Sequence, residues 1–312
     1  MVSKSTHKSK AIKHQHKRFW LLLLLFFVVA GVSIAICYLV KIFLIDNPAN
    51  TPEDAVTESD VSTITDNEAV INPIDFQPDI EEFVSSIKGK SSVLIYDLDR
   101  DEFVGSYNET ETYNTASLYK LFVVYEGYKR INAGEWDPTE KAGTTGFTVL
   151  ECLDLAIRQS HSPCAETLWG KIGRPELDQI VSDYGFSNTS VSNLTSNPED
   201  IFRIMQFFYL HPDFEREDLV LQMKNSFLNQ PATEYDWRQG LPSGFSIAKV
   251  YNKVGWDYNP NGRYWNIYHD AAIIEFPEDN RHFIVVVMTN RVPFDKITEL
   301  GNKIEQTYLN QR

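Results

Sequence analysis

Cysteines, clustered histidines and basic patches are scarce in this 312-residue chain, and each shortage narrows what it can do. Three cysteines are too few for a disulfide framework. Cys37 lies in an apolar run, and Cys152 and Cys164 stand twelve apart, with the first near the start of a predicted helix. A bridge between those two needs the chain to double back, so the expectation is two small buried thiols. No His-Glu-x-x-His, no Cys-x-x-Cys and no cluster of histidines occurs, so neither a metal site nor a cofactor is expected. His7, His14 and His16 belong to a basic tail.

Acidic residues are absent ahead of Asp46, and basic ones are few behind it. All 43 Asp and Glu follow Ile45, with only 22 of the 29 Lys and Arg, so that portion carries a formal −21 (22 against 43). Nucleic acid, which needs basic patches, is excluded as a partner. The acidic excess suits a soluble extracytoplasmic enzyme, and equally an ordinary solvated surface. The front of the chain has the opposite bias. Lys4, Lys8, Lys10, Lys13, Lys17 and Arg18 precede residues 19–40, which carry no charge at all. As a helix that run is roughly 33 Å long, enough to cross a bilayer. The positive-inside bias predicts a cytoplasmic tail at 1–18, a transmembrane signal-anchor at 19–45 and everything beyond on the outer side of the cell membrane. No small-x-small site marks a cleaved leader, and Ile36 stands where a lipid-attachment motif wants a small residue before Cys37. Residues 46–77, acidic and rich in Thr, Ser, Asn and Pro, are predicted to be a disordered tether with a reach of roughly 30 Å.

Residues 78–312 have room for one large domain, expected to be monomeric. A helix is predicted over 79–87, then two strands over 92–96 and 102–107 around the turn Asp97-Leu-Asp-Arg-Asp101. A helical middle follows, over 117–132, 148–159, 163–172, 175–184, 198–210 and 217–228. Three of these helices open on a proline, where a missing N–H does no harm. Strands over 246–252, 264–275 and 282–288 and a helix over 294–309 complete the chain. Two strands, a helical insertion, three strands and a last helix predict an α+β fold: one antiparallel five-stranded sheet with helices on both faces.

The chemistry is concentrated in three short stretches. Ser117 opens the quartet Ser-Leu-Tyr-Lys at a predicted helix start, with cap chemistry from Asn114 and Thr115 ahead of it. Residues three apart share a helix face, so Lys120 can lean back onto Ser117 and take its proton. A neutral lysine is needed for that, which burial or a neighbouring cation would provide. The blander role for Ser117 is to start the helix. Ser160 and the triplet Lys253-Val254-Gly255 complete a set that nucleophilic acyl transfer can use. Their blander roles are capping a helix C-terminus and ending a strand at the surface.

Order and spacing of these elements resemble serine β-lactamases and penicillin-binding proteins, and most of all class A β-lactamases. Tyr113-Asn-Thr-Ala-Ser-Leu-Tyr-Lys120 is similar to the family's nucleophile motif. Leu153-Asp-Leu-Ala-Ile-Arg-Gln-Ser-His-Ser162 resembles the helix that delivers its Ser-Asp-Asn loop. Arg238-Gln-Gly-Leu-Pro-Ser-Gly244, with Lys253-Val-Gly-Trp256 nine residues later, resembles the run that ends in Lys-Thr-Gly. The resemblance implies a β-lactamase/transpeptidase-like fold, Ser117, Lys120, Ser160 and Lys253 as catalytic residues, and Ser162, Gly255, Trp256 and Arg263 around the substrate. It makes the Trp256 backbone N–H an oxyanion donor beside that of Ser117. Arg263 stands where it can bind a substrate carboxylate, or be a solvated turn residue.

The departures carry information too. His161-Ser162 replace Asp-Asn, so an amide that would hold a substrate carbonyl is gone. Val254 replaces the threonine of Lys-Thr-Gly. His161 either tunes the proton relay or simply packs in its loop. Residues 188–196, where class A enzymes carry a longer loop with the glutamate that activates the deacylating water, contain no acid. The expected activity is therefore formation of an acyl-enzyme on Ser117 with a β-lactam or a D-alanyl peptidoglycan stem peptide, followed by slow deacylation. The alternative is a wall-binding or β-lactam-sensing domain of the same fold.

Overall fold

The structure, a computed structural model, describes residues 72–228, 238–257 and 266–312. The predicted cytoplasmic tail, transmembrane anchor and most of the tether lie outside the described residues, as does Arg263. Among the described residues no helix is long and apolar enough to cross a membrane.

The ordered body begins a little ahead of the expected boundary at 78. Ile74 and Phe76 are buried, and the Phe76 N–H donates to Val104 O at 3.0 Å. Helix α1 (Gln77–Ser86) carries Pro78 in its first turn and buries Ile80 and Phe83, three apart on one face. Strand β1 (Lys90–Asp97) is buried along nearly its whole length, and β2 (Glu102–Tyr107) is mostly half-buried, with Phe103 and Tyr107 exposed. That contrast fits a central strand and an edge strand.

The helical insertion starts after a two-residue strand, β3 (Tyr113–Asn114), and a 3₁₀ turn (Ala116–Leu118). Helix α2 (Tyr119–Asn132) is buried on almost every side, as expected of a helix at the middle of an all-helical layer. Around it lie α3 (Val149–Arg158), α4 (Ser162–Ile172), α5 (Arg174–Asp183), α6 (Pro198–Leu210) and α7 (Glu217–Leu228). Helix α3 has a reciprocal capping box, Thr148 with Glu151, and Asn197 caps α6 by accepting from the Asp200 N–H. A second two-residue strand, β4 (Thr195–Ser196), pairs with β3. This pairing was not expected: two residues are too few to show an alternating pattern.

The chain closes with the short helix α8 (Leu241–Gly244), strands β5 (Lys249–Asp257), β6 (Ile267–Phe276) and β7 (Arg281–Asn290), and helix α9 (Phe294–Gln311). All five long strands pair antiparallel in the order β2-β1-β7-β6-β5. Alternation along them splits the core in two. Leu94, Tyr96, Ala271, Ile273, Ile284 and Val286 face the helical insertion. Val93, Ile95, Ala272, Ile274, Val285 and Val287 face α1 and α9. The fold is thus the expected antiparallel sheet between two helical layers.

Two further features differ from expectation. Strand β5 runs on to Asp257 instead of stopping at Asn252, so Lys253, Val254 and Gly255 sit inside it. Lys and Gly weaken a strand signal although cross-strand pairing decides the outcome. Cys152 and Cys164 form a disulfide, with Cα atoms 4.8 Å apart, in place of the expected free thiols. The chain does double back: Ser160 takes a left-handed φ of 53°, and α4 returns against α3.

Candidate active site

Ser117 lies in the 3₁₀ turn that feeds α2, so the predicted helix start is a tighter turn that passes into α-helix at Tyr119. Ala116, just before it, has φ 43°, and the Asn114 carboxamide oxygen accepts from the Ala116 N–H at 2.9 Å. Asn114 thus performs the expected capping, on the turn rather than on the helix. Thr115 makes no side-chain cap. The Ser117 N–H is presented at the positive end of α2, where developing negative charge is stabilised.

Lys120 is one turn on, wholly buried, with Nζ 3.0 Å from Ser117 Oγ. The same nitrogen reaches Ser160 O at 2.5 Å, Ser160 Oγ at 3.2 Å and Ser162 Oγ at 3.1 Å. Lys253, from the sheet side, donates to Ser160 Oγ at 2.9 Å and to Val254 O at 2.8 Å, and is 1% exposed. Five of the predicted site residues, Ser117, Lys120, Ser160, Ser162 and Lys253, therefore converge on one point. Among the described residues neither lysine has a carboxylate within ion-pair distance. Burial pulls Lys120 down to about 8, opposed by the charge of Glu166. Burial pulls Lys253 well below its ordinary value too, helped by the positive charge of Lys120 and opposed by Asp270. Two ammonium groups bound to one buried hydroxyl cannot both stay charged at low cost.

Strand β5 forms the other wall. A Cβ on Gly255 would stand 2.7 Å from Thr115 O and 2.9 Å from Leu118 Cγ, so the glycine lets the strand touch the nucleophile turn. Trp256 follows on the same strand, opposite Tyr268. Gly255→Ala is expected to keep the fold by circular dichroism and to lower the rate of labelling by a fluorescent penicillin by roughly 10- to 100-fold, the scale of an ångström misplacement. An unchanged rate would show that β5 can retreat without disturbing Ser117.

Other positioning groups were not foreseen. His269 faces Gly255 across the β5–β6 pairing. Its Nδ1 accepts from the Thr289 N–H at 2.9 Å, and its Nε2 meets Asn114 O at 2.8 Å. Burial depresses it to about 4, so it is a neutral link between the sheet and the turn before Ser117. Asp270 accepts from the Asn252 carboxamide at 2.9 Å and the Leu241 N–H at 2.8 Å, and burial raises it to about 7. These contacts span up to 155 residues of chain, and no local motif announces them. Tyr119 donates to Glu166 at 2.8 Å, and Arg174 pairs with the same carboxylate.

His161 caps α4: its Nδ1 accepts from the Cys164 N–H at 3.3 Å, and its ring stands edge-on to Phe147. Of its two expected roles the packed one is visible. The segment 188–196 is a tight loop tied down by buried or bonded acids. Asp178 accepts from the Val191 and Ser192 N–H groups, and Asp200 from the Asn188 N–H and the Thr189 hydroxyl. Among the described residues no three His, Cys, Asp or Glu side chains are placed to hold a metal ion.

Solved structures with a similar fold include class A β-lactamases and the protein PBP-A. A β-lactamase reconstructed as the last common ancestor of Gram-negative bacteria superposes with a TM-score of 0.63 at 16% identity, covering 76% of this chain and 99% of its own. The protein PBP-A does so with 0.63 at 16%, covering 77% and 100%. A β-lactamase from Xanthomonas campestris pv. campestris gives 0.63 at 14%, covering 74% and 96%. At such identities the likeness is one of fold. No curated protein sequence matches the chain. The family profile described as the β-lactamase enzyme family matches residues 75–310, which takes in the whole sheet, both helical layers and every described site residue, and the chain belongs to that family.

Proposed function

We propose that this protein is a membrane-anchored serine hydrolase that forms an acyl-enzyme on Ser117 with β-lactams or D-alanyl peptidoglycan stem peptides and releases it slowly. The observation that carries this reading is a buried lysine with no ion-pair partner among the described residues, its Nζ 3.0 Å from a serine hydroxyl at a helix start. Neutral Lys120 takes the Ser117 proton as Oγ attacks the carbonyl carbon. The N–H groups of Ser117 and Trp256 hold the oxyanion. Ser160 passes a proton to the leaving nitrogen and is resupplied through Lys253 or Lys120, both within hydrogen-bond distance. Ser162, exposed at the mouth of the site, faces the substrate, and Arg263 binds its carboxylate. A PBP-A mutant has been captured as an acyl-enzyme with penicillin G, which supports this substrate class.

Slow release follows from the engaged acids around 188–196: Asp178 and Asp200 hold backbone and hydroxyl groups and are not free to activate water. The uncharged run at 19–40 behind six cations supports an anchor with the domain outside, and the Cys152–Cys164 bridge supports an oxidising compartment. The sensing alternative keeps the acylation and drops the release, and Val254 in place of a hydroxyl residue favours it.

Penicillin turnover by the outer domain is expected to show a burst of about one equivalent and then a much slower steady rate. Intact mass followed over time reads both phases. Burst-free rapid turnover would overturn slow deacylation, and an adduct that never decays would assign the protein to sensing.

A further inference from the structure

The reversal that carries Ser160 is closed by a covalent bond. Helix α3 ends at Arg158 and α4 begins at Ser162, so Gln159, Ser160 and His161 are the whole turn between them. Cys152 lies in the first turn of α3 and Cys164 in the first turn of α4, and their bridge encloses the turn in a short ring. Inside it, Leu155 O accepts from both the Gln159 and the His161 N–H groups, which folds the turn back along α3. The Cys164 N–H donates to His161 Nδ1, so the bridged residue also fixes the neighbour of Ser160.

Ser160 needs such support. A left-handed backbone is unfavourable at a residue with a Cβ, and persists only where surrounding structure enforces it. The strained conformation is also the useful one. It turns the Ser160 carbonyl and hydroxyl together onto Lys120 Nζ, presents the hydroxyl to Lys253, and leaves Ser162 Oγ on the same lysine.

We propose that the Cys152–Cys164 bridge is a positioning clamp on this turn, and that the rate of Ser117 acylation depends on the bridge being formed. The inference rests on the acyl-transfer reading above. Cys152 and Cys164 act through Ser160 and touch no substrate: both side chains are sealed from solvent. With the clamp open, the turn relaxes toward right-handed backbone, Ser160 moves off the two lysines, and water reaches Lys120. Breaking the bond takes two electrons and two protons from a dithiol, which becomes a disulfide as two S–H groups form. The burial of both sulfurs restricts that exchange to local opening, so the clamp is set when the protein folds in an oxidising compartment.

The test uses the full chain in detergent. Non-reducing peptide mapping should recover a 152–164 linked peptide; free thiols at both positions in folded protein would overturn the proposal. Cys152→Ala/Cys164→Ala is expected to melt at a lower temperature. Well below that melt it should acylate with penicillin on the order of 10- to 100-fold more slowly, and the midpoint of its pH profile should move up as Lys120 becomes wet. A bridge that only stabilises the fold would lower the melting temperature and leave rate and midpoint alone, and that result would overturn the clamp. If the alanine pair does not fold, native protein reduced with dithiothreitol takes its place, with the thiols counted by mass and the same two readouts. If wild type takes no penicillin adduct, the acyl-transfer reading fails by itself. Hydrogen exchange of the 159–162 amides then decides the clamp: unchanged protection in the bridge-free protein overturns it, and lost protection supports it.

Discussion

Ser117→Ala is expected to abolish the penicillin adduct entirely while leaving a folded protein. Nothing else near Lys120 can replace the nucleophile with the same geometry. Ser160 Oγ is bound by both lysines and sits on a left-handed backbone. Ser162 Oγ is within reach of Lys120, but it lies in the first turn of α4 and not in the turn that precedes α2. The fold should hardly notice the change. The Ser117 carbonyl, which accepts from the Tyr119 N–H, is kept, and a half-buried hydroxyl replaced by hydrogen typically costs within about 1 kcal/mol. Intact mass after penicillin exposure separates the outcomes. No adduct over a time in which wild type is fully labelled is the expected result. An adduct that survives in the alanine protein would move the nucleophile elsewhere and undo the assignment of the whole site.

Much of this site could be read from the chain because its parts are local. Ser117 and Lys120 are one helical turn apart, and the first apolar residues after Leu118 mark the helix that aligns them. The sheet could be read for the same reason: long alternating or apolar runs between turn residues give strands wherever a face is buried. What could not be read depends on contacts between distant parts of the chain. The reversal at Ser160 uses a backbone conformation that serine rarely adopts, so spacing alone argued against the Cys152–Cys164 bridge that the reversal makes possible. The continuation of β5 through Lys253 and Gly255 comes from nine paired residues on β6, not from the propensity of the residues themselves. His269 looked like one residue of a strand; its bond to Asn114 makes it a support for the nucleophile turn. Ile74 and Phe76 looked like the end of a polar tether because two apolar residues in a polar context show no period, yet both fill the core against β2 and α1.

Lys120→Ala is expected to cut the acylation rate by at least about 100-fold, the scale of a lost general base. Lys120→Arg should recover little, because guanidinium stays protonated at any relevant pH. The pH profile distinguishes a base from a structural residue. With Lys120 drawn down to about 8, the wild-type rate should rise nearly tenfold per pH unit through neutrality and level off above about pH 8. An ordinary lysine would leave roughly 300-fold less neutral amine at pH 7, so the depression itself favours the role of base. Stability should follow with a definite sign. The folded state binds fewer protons than the unfolded chain between the depressed value and the ordinary one, so stability rises with pH from about 8 to about 10.5, by on the order of 3 kcal/mol for this group. Lys120→Met should flatten that rise without removing it, because Lys253 is depressed in the same direction. Removing the Lys120 charge should also let Lys253 bind its proton more readily, since that charge is one of the causes of its depression. Chemical denaturation across pH 7 to 10 reads the slope, and stopped-flow acylation reads the rate. A Lys120→Ala protein that acylates at the wild-type rate, with an unchanged pH limb, would reduce the Ser-x-x-Lys pattern to helix packing.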